Sequence, residues 1–171
     1  MNRSLTLTSR VEPRVSLRAA APGDLDDLRA WKNANKAGFF FQGDITPEMQ
    51  KEWYAGYLAR PDDFMFVVER DGAKIGCMGL RAAGGAVDVY NIIAAPGGAG
   101  KGLMTAAMAL MCSYAAAEYG RNIGCLVLKK NPAVSYYQRC GFSVVADGGD
   151  HHVFKLDWTR LKPAPYDVAE K

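Results

Sequence analysis

A chain of 171 residues, 49% apolar and 23% charged, has the length and composition of one globular domain that buries a real core. Its net charge of +3 comes from scattered basic residues, which excludes a nucleic-acid partner held by a concentrated basic stripe. The four cysteines (Cys77, Cys112, Cys125 and Cys140) sit in apolar stretches with no C-x-x-C pair, which argues against a metal site and for a reducing compartment.

Residues 1–13 read as a loose polar segment. The N-terminus lacks the apolar core of a signal peptide. The most apolar run, 103–117, is too short to span a bilayer and contains Thr105, Ser113 and Tyr114. The expected location is the cytoplasm, with no membrane partner.

From residue 14 the pattern becomes regular. Val15 to Arg18 alternates as a short strand. Pro22-Gly23-Asp24 opens a helix in which Asp24 serves as a cap and Leu25, Leu28 and Trp31 follow at helical spacing. Phe39-Phe40-Phe41 is an aromatic cluster without a period. Thr46-Pro47 starts a second helix, with Thr46 as cap and Trp53, Tyr54 and Tyr57 on an aromatic face; Arg60-Pro61 closes it. Phe64 to Glu69, Lys74 to Leu80 and Val87 to Ile93 are three strands joined by tight turns, hence antiparallel.

A loop with four glycines follows, Ala95-Pro96-Gly97-Gly98-Ala99-Gly100-Lys101-Gly102, and then a helix that is apolar almost all round. Ile123 to Leu128 is a buried strand that the crossover helix makes parallel to Val87–Ile93. Asn131 to Arg139 is a short helix ended by Cys140-Gly141. Phe142 to Val145 and Val153 to Trp158 are the last strands, and 161–171 is a tail. The expected fold is α/β (α+β): a single domain over 14–160, with a mixed, mostly antiparallel sheet of about seven strands and helices on both faces.

Strand, glycine loop and helix leave backbone N–H groups free at a positive helix end, a ready site for phosphate. Two common phosphate motifs fail here. A P-loop ending at Gly100-Lys101 needs glycine at 95 and Ser or Thr at 102, where the chain has Ala95 and Gly102. A dinucleotide turn begun at Gly98 needs glycine at 103, which is Leu103, and a parallel βαβ context that a run of hairpins does not supply. A nucleotide phosphotransferase is therefore disfavoured. The remaining reading is a pyrophosphate held by N–H groups from Gly98 to Met104, with Lys101 adding a charge.

Two segments now carry a resemblance. Ala94-Ala95-Pro96-Gly97-Gly98-Ala99-Gly100-Lys101-Gly102-Leu103-Met104 resembles the V-x-P-x-x-R-G-x-G-x-G/A loop of the GNAT superfamily of N-acetyltransferases. Asn131 to Phe142 resembles that family's N-x-x-A-x-x-x-Y-x-x-x-G-F run. Leu103 to Ala107, Trp31-Lys32-Asn33 and Ile45 to Trp53 look like the branch with ribosomal-protein N-terminal and amino-sugar acetyltransferases. Ala99 stands where the family has arginine, Met104 replaces its small residue, and the Asn131–Tyr137 spacing is one residue short.

The resemblance implies an acetyl-CoA-dependent N-acetyltransferase, in which a primary amine attacks the thioester directly through a tetrahedral intermediate. It implies that acetyl-CoA is the co-substrate and that Ala94, Ala95, Gly98, Ala99, Gly100, Lys101, Gly102, Leu103, Met104, Asn131 and Tyr137 contact it. A backbone N–H near Ala94 polarises the carbonyl. Tyr137, a phenol protonated at neutral pH, is the expected general acid. Asp88, an acid in an apolar strand, is a possible general base; His151, His152 or a water chain are the alternatives. The acceptor is expected to meet Trp31, Phe40, Phe41, Trp53 and Tyr90. It is a small-molecule or peptide amine, and the protein is a monomer or homodimer. The competing reading is a non-catalytic acyl-CoA-binding or sensor module, suggested by Ala99 and the shortened Asn131 motif.

Overall fold

The computed structural model describes residues 4–170. In chain order the elements are β1 (Leu5–Ser9), β2 (Val15–Ala19), α1 (Leu25–Ala34), α2 (Pro47–Ala59), β3 (Asp63–Arg70), β4 (Ala73–Ala83), β5 (Ala86–Ala94), α3 (Leu103–Tyr119), β6 (Ile123–Leu128), α4 (Val134–Arg139), β7 (Phe142–Asp147), β8 (His151–Leu156) and β9 (Tyr166–Glu170). The strands form one sheet in the order β7-β8-β6-β5-β4-β3-β2-β1-β9. The pairings are antiparallel except β5 with β6, the one joined by a crossover helix.

The α/β domain with an open mixed sheet matches the sequence expectation, but the described residues form nine strands rather than about seven. The extra strands come from the 1–13 segment read as loose and from the 161–171 segment read as a tail. Leu5 and Leu7 are buried while Thr6 and Thr8 are half-buried, the period-2 pattern of a strand with one face on a core. Once β1 is ordered against β2, it offers its other edge to Tyr166–Glu170, which pairs along its whole length and caps the sheet.

Helices cover both faces. Leu17, Phe66, Met78, Leu80, Val87 and Val89 pack beneath α3 and α4. Met65, Val67, Cys77 and Ile93, on the opposite side of the pleat, pack against Leu28 and Trp31 of α1 and Tyr57 of α2. α3 has no polar stripe because it lies deep in the first layer: Ala107, Met108, Leu110, Met111 and Cys112 have no exposed surface. Thr46 caps α2 as expected, its Oγ1 accepting from the Met49 N–H at 3.2 Å.

Asp24 makes no side-chain cap on α1. It is buried, accepts the Ala21 N–H at 2.8 Å, and pairs with Arg18 and Lys74, each at 2.8 Å. Burial opposes its ionisation, but those hydrogen bonds outweigh it and hold the carboxyl well below the usual range.

The feature that makes a site is a split in the sheet. β5 stays paired with β4 over nearly its whole length, yet meets β6 only at Val87–Ile123 and Asp88–Gly124. Beyond Asp88 the two strands part. On the other edge of β5, Gly79 pairs with Tyr90 and Cys77 with Ile93, so Met78 alone faces Asn91 and Ile92. This is a β-bulge, with Asn91 at φ 48°, a left-handed conformation asparagine tolerates better than most residues.

Candidate active site

The loop after β5 is built to present backbone. Gly97, Gly100, Lys101 and Gly102 all have φ between 60° and 89°. Gly102 is the N-cap of α3 and supplies no side-chain cap, and the first helical bond runs from Ala106 N–H to Gly102 C=O. The N–H groups of residues 99–105 therefore have no acceptor among the described residues. They point where a helix N-terminus favours an anion.

Two positions in the expected cradle behave differently. The Gly98 N–H donates to Ala95 C=O at 2.8 Å, and the Ala95 N–H donates to Ile75 C=O at 2.9 Å. Neither is free for phosphate. Glycine at 98 is needed for close approach instead: a Cβ there would lie 2.0 Å from the Ile75 oxygen. Ala95, Leu103 and Met104 are buried.

Two adjoining cavities, of about 340 and 870 Å³, share Ile92, Ala94, Ala99 and Ala133 and run past this loop. The smaller is lined by Gly100, Gly102, Met104, Thr105, Tyr136 and Arg139 as well. The larger reaches Trp31, Gly38, Phe39 and Asn131. Ala99 opens space where the family arginine would stand, and Lys101 is exposed and lines neither cavity. Arg139 of α4 is the cation on the groove, a residue the sequence reading passed over. It lies one helical turn beyond Tyr136, and that i, i+3 spacing on α4 was the available signal.

The tyrosine pair divides between the two sides of the split. Tyr136 donates from its hydroxyl to Met104 C=O at 2.8 Å and ties α4 to the start of α3. Tyr137 faces the other way, into a cavity of about 280 Å³ that it shares with Asp88, Tyr90, Asn91, Asn131, Lys32 and the Phe39–Phe41 segment. Its ring stacks on Phe154 at 5.9 Å and meets Phe142 edge-on at 6.0 Å. Its hydroxyl has no hydrogen-bond partner among the described residues. Burial, together with nearby Cys125, Cys140 and Asp88, pushes its pKa far above the ordinary phenol value, so it holds its proton at every physiological pH.

Asp88 lies at the exposed mouth of this cavity. The protein packed around its carboxyl raises the pKa above the usual range, with Arg81 opposing and Asp63 adding to the effect. Tyr90 shares its strand face, but its hydroxyl is committed: it donates to the fully buried Asp63, which also pairs with Arg60 at 2.6 Å and Arg81 at 2.9 Å. Asn131 is committed too. Its Oδ1 accepts the Ala133 N–H at 2.8 Å, and its Nδ2 donates to Gly38 C=O at 3.0 Å, clamping the 36–38 turn to the start of α4.

Of the expected acceptor residues, Phe41 and Trp53 line a third cavity of about 230 Å³ under α1 and α2. Trp53 stacks on Tyr57 at 5.3 Å. Phe40 is exposed and meets His151 edge-on at 5.6 Å. Trp31 is buried and borders the long groove instead. His152 meets Phe154 edge-on at 5.7 Å, and neither histidine lines the cavity that holds Tyr137.

The residue most plainly missed is Lys32. It lines both the Tyr137 cavity and the Trp53 cavity. Its ammonium sits 3.2 Å from the centre of the Phe39 ring and donates to Asn91 Oδ1. Burial lowers its pKa to about 8, with Cys77 opposing weakly.

A mixed sheet split at one parallel pair, with a glycine loop and buried helix on one side of the split and a tyrosine on the other, defines an open mixed α/β domain with its cavities at the split. The chain matches the family described as Acetyltransferase (GNAT) domain over residues 14–143, and it belongs to that family.

A search of the curated proteins found no match. Solved structures are similar in fold. A nucleotide-linked sugar GNAT, FdhC in its apo form, superposes with a TM-score of 0.73 at 17% identity, covering 94% of this chain and 93% of that one. Spermidine N-acetyltransferase from Vibrio cholerae, in complex with CoA and spermine, gives 0.69 at 22% identity, covering 91% and 95%. The ribosomal L7/L12 α-N-protein acetyltransferase RimL, with coenzyme A, gives 0.64 at 19% identity, covering 82% and 90%. Among the described residues no helix is long and apolar enough to cross a membrane, and no group of three His, Cys, Asp or Glu is placed to hold a metal.

Proposed function

We propose that this protein is an acetyl-CoA-dependent N-acetyltransferase acting on a primary amine. The observation that carries the reading is the meeting of two spaces at the β5–β6 split: a groove edged by unpaired loop N–H groups, and a cavity holding an unpartnered tyrosine hydroxyl beside an acid.

The residues fit the donor. The N–H groups of residues 99–105 hold the pyrophosphate, each charge-assisted bond contributing about 1.5–3 kcal/mol. Arg139 supplies the cation that Ala99 lacks. The β5 bulge shifts the β4–β5 register at Asn91–Ile92, beside the cavities, and a backbone N–H of the Asn91–Ala94 stretch polarises the thioester carbonyl in this reading.

In the transfer, a C–N bond forms from the amine to the acetyl carbon and the C–S bond breaks. The amine proton leaves to Asp88, directly or through water, and the raised carboxyl pKa suits it to that task. The departing thiolate takes its proton from Tyr137, whose phenol is never ionised beforehand. The four unbridged, buried thiols support a cytoplasmic or other reducing setting.

Thermal unfolding with acetyl-CoA, CoA and ATP tests the donor assignment. A ligand at a hundredfold its dissociation constant stabilises by about 2.7 kcal/mol, so acetyl-CoA and CoA are expected to raise Tm and ATP is not. No shift with millimolar acetyl-CoA would remove it. Ala99 and the fully committed Asn131 favour a second reading, a non-catalytic acyl-CoA sensor. Binding without amine-dependent thiol release would establish that reading instead.

A further inference from the structure

Resting on the acetyltransferase reading, we propose that the acceptor is a small amine bearing an anionic group beside its amino group and an apolar body, an apolar α-amino acid being the simplest example. In this arrangement Lys32 and Asn91 hold the anion and the Trp53 cavity holds the body.

The walls make the first part of the case. The cavity of about 230 Å³ is faced by Leu28, Ile45, Met49, Trp53, Met65 and Ile93, and no Asp or Glu lines it. The adjoining Tyr137 cavity has one acid, Asp88. The Trp53 cavity, at about 230 Å³, falls below the ~300–1,000 Å³ of a drug-sized site, so the apolar body it takes is small. A polyamine brings several cations and needs several carboxylates; here it would meet one carboxylate and a largely buried ammonium.

The polar groups make the second part. Lys32 forms no ion pair with any described residue; its contacts are the Asn91 oxygen and the Phe39 ring. An uncompensated buried cation is costly to keep, and an anionic ligand removes that cost. Gln50 is 7% exposed, lines the same cavity, and its carboxamide makes no hydrogen bond to any described residue, which leaves it open to an incoming ligand. A cation without a carboxylate partner and an amide of this kind therefore border one apolar space.

Placement makes the third. Lys32 and Asn91 line both cavities, so they stand at the junction between the reacting end, with Asp88 and Tyr137, and the apolar end, with Trp53. An anion there is close to the attacking nitrogen along the acceptor. A peptide N-terminus has an uncharged amide at that point and leaves Lys32 uncompensated.

The test uses phenylalanine, methionine, their amides and spermidine as acceptors for the full-length enzyme with saturating acetyl-CoA. Thiol release and calorimetric binding to the CoA-loaded protein are both read. The free acids are expected to exceed their amides by about tenfold or more in kcat/KM, carried by KM, as one charge-assisted contact gives. Lys32→Met is expected to bring that ratio near unity, and Lys32→Arg to restore part of it.

Amides equal to acids, spermidine preferred, or an unchanged ratio in Lys32→Met would overturn the proposal while leaving N-acetyl transfer intact. If no amine releases thiol, the transferase reading fails. Calorimetry then decides the pocket alone: tighter binding of the acids upholds it, and equal or absent binding overturns it.

Discussion

The two sides of the β5–β6 split are made of different materials. The donor side is contiguous in sequence and built from backbone: a glycine loop with four residues at positive φ, opening onto the uncapped start of α3. The acceptor side is built from side chains that arrive separately on α1, the 39–41 segment, α2, β5 and α4. A backbone site depends on where the chain can go, whereas a side-chain site depends on what each element carries. Substitutions should therefore separate binding of the donor from choice of the acceptor.

The largest expected effect is at the boundary between them. Tyr137→Phe keeps the stacking on Phe154 and removes only the hydroxyl. Turnover is expected to fall by about 10²–10⁴-fold, with calorimetric affinity for acetyl-CoA unchanged. Unaltered turnover would take Tyr137 out of the acid role.

Gly98→Ala attacks the donor side through its packing. The new Cβ meets the Ile75 carbonyl at 2.0 Å, so the loop must lift off β4. A loss of about 1–3 kcal/mol in denaturant unfolding is expected, together with weakened acetyl-CoA binding.

Arg139→Ala leaves the loop intact and removes the one Lys or Arg that lines the groove among the described residues. Acetyl-CoA affinity should drop about tenfold or more by calorimetry. Ala99→Arg, restoring the family residue in the same background, should recover much of it. No loss with Arg139→Ala would return the role to Lys101.

The smallest effect belongs to the acceptor side. Lys32→Met relieves a buried cation and is expected to stabilise the free protein at pH 7 by about 1 kcal/mol in chemical denaturation. The sign follows from linkage. The folded pKa, about 8, lies below that of an unfolded lysine, so the native state binds fewer protons and the cost is present in full below pH 8. It fades as pH rises toward the unfolded value, and the benefit of the substitution should fade with it. Cys77 of β4 shares the Trp53 cavity with Lys32, and burial pushes its thiol up to about 12; Asp88 and Tyr137 share the other cavity that Lys32 lines. No stabilisation at pH 7 would mean that Lys32 is already compensated.

The same difference in material explains what the sequence could tell. Glycine spacing, the proline at 96 and the Tyr137-to-Phe142 run are local signals, so the groove, the parallel crossover and the split between Tyr136 and Tyr137 were legible. The use of Gly98 for packing was not, because its neighbour Ile75 lies on another strand. Strand alternation puts Tyr90 on the face of Asp88, yet its partner Asp63 comes from β3, two strands away in the sheet. Lys32 follows Leu28 by four residues and so lies on the buried side of α1, a signal that was present and passed over. Leu5 to Thr8 alternates as a strand should; its polar surroundings hid it, and β9 depends on it.

Amine-dependent release of CoA thiol tests the central claim most directly. It would be followed with wild type and Tyr137→Phe at saturating acetyl-CoA, and the product identified by mass spectrometry. The account predicts an N-acetylated amine formed in step with thiol by the wild type, and a rate at least a hundredfold lower in the variant. Tight acetyl-CoA binding with no thiol release by the wild type across the amine panel would contradict it.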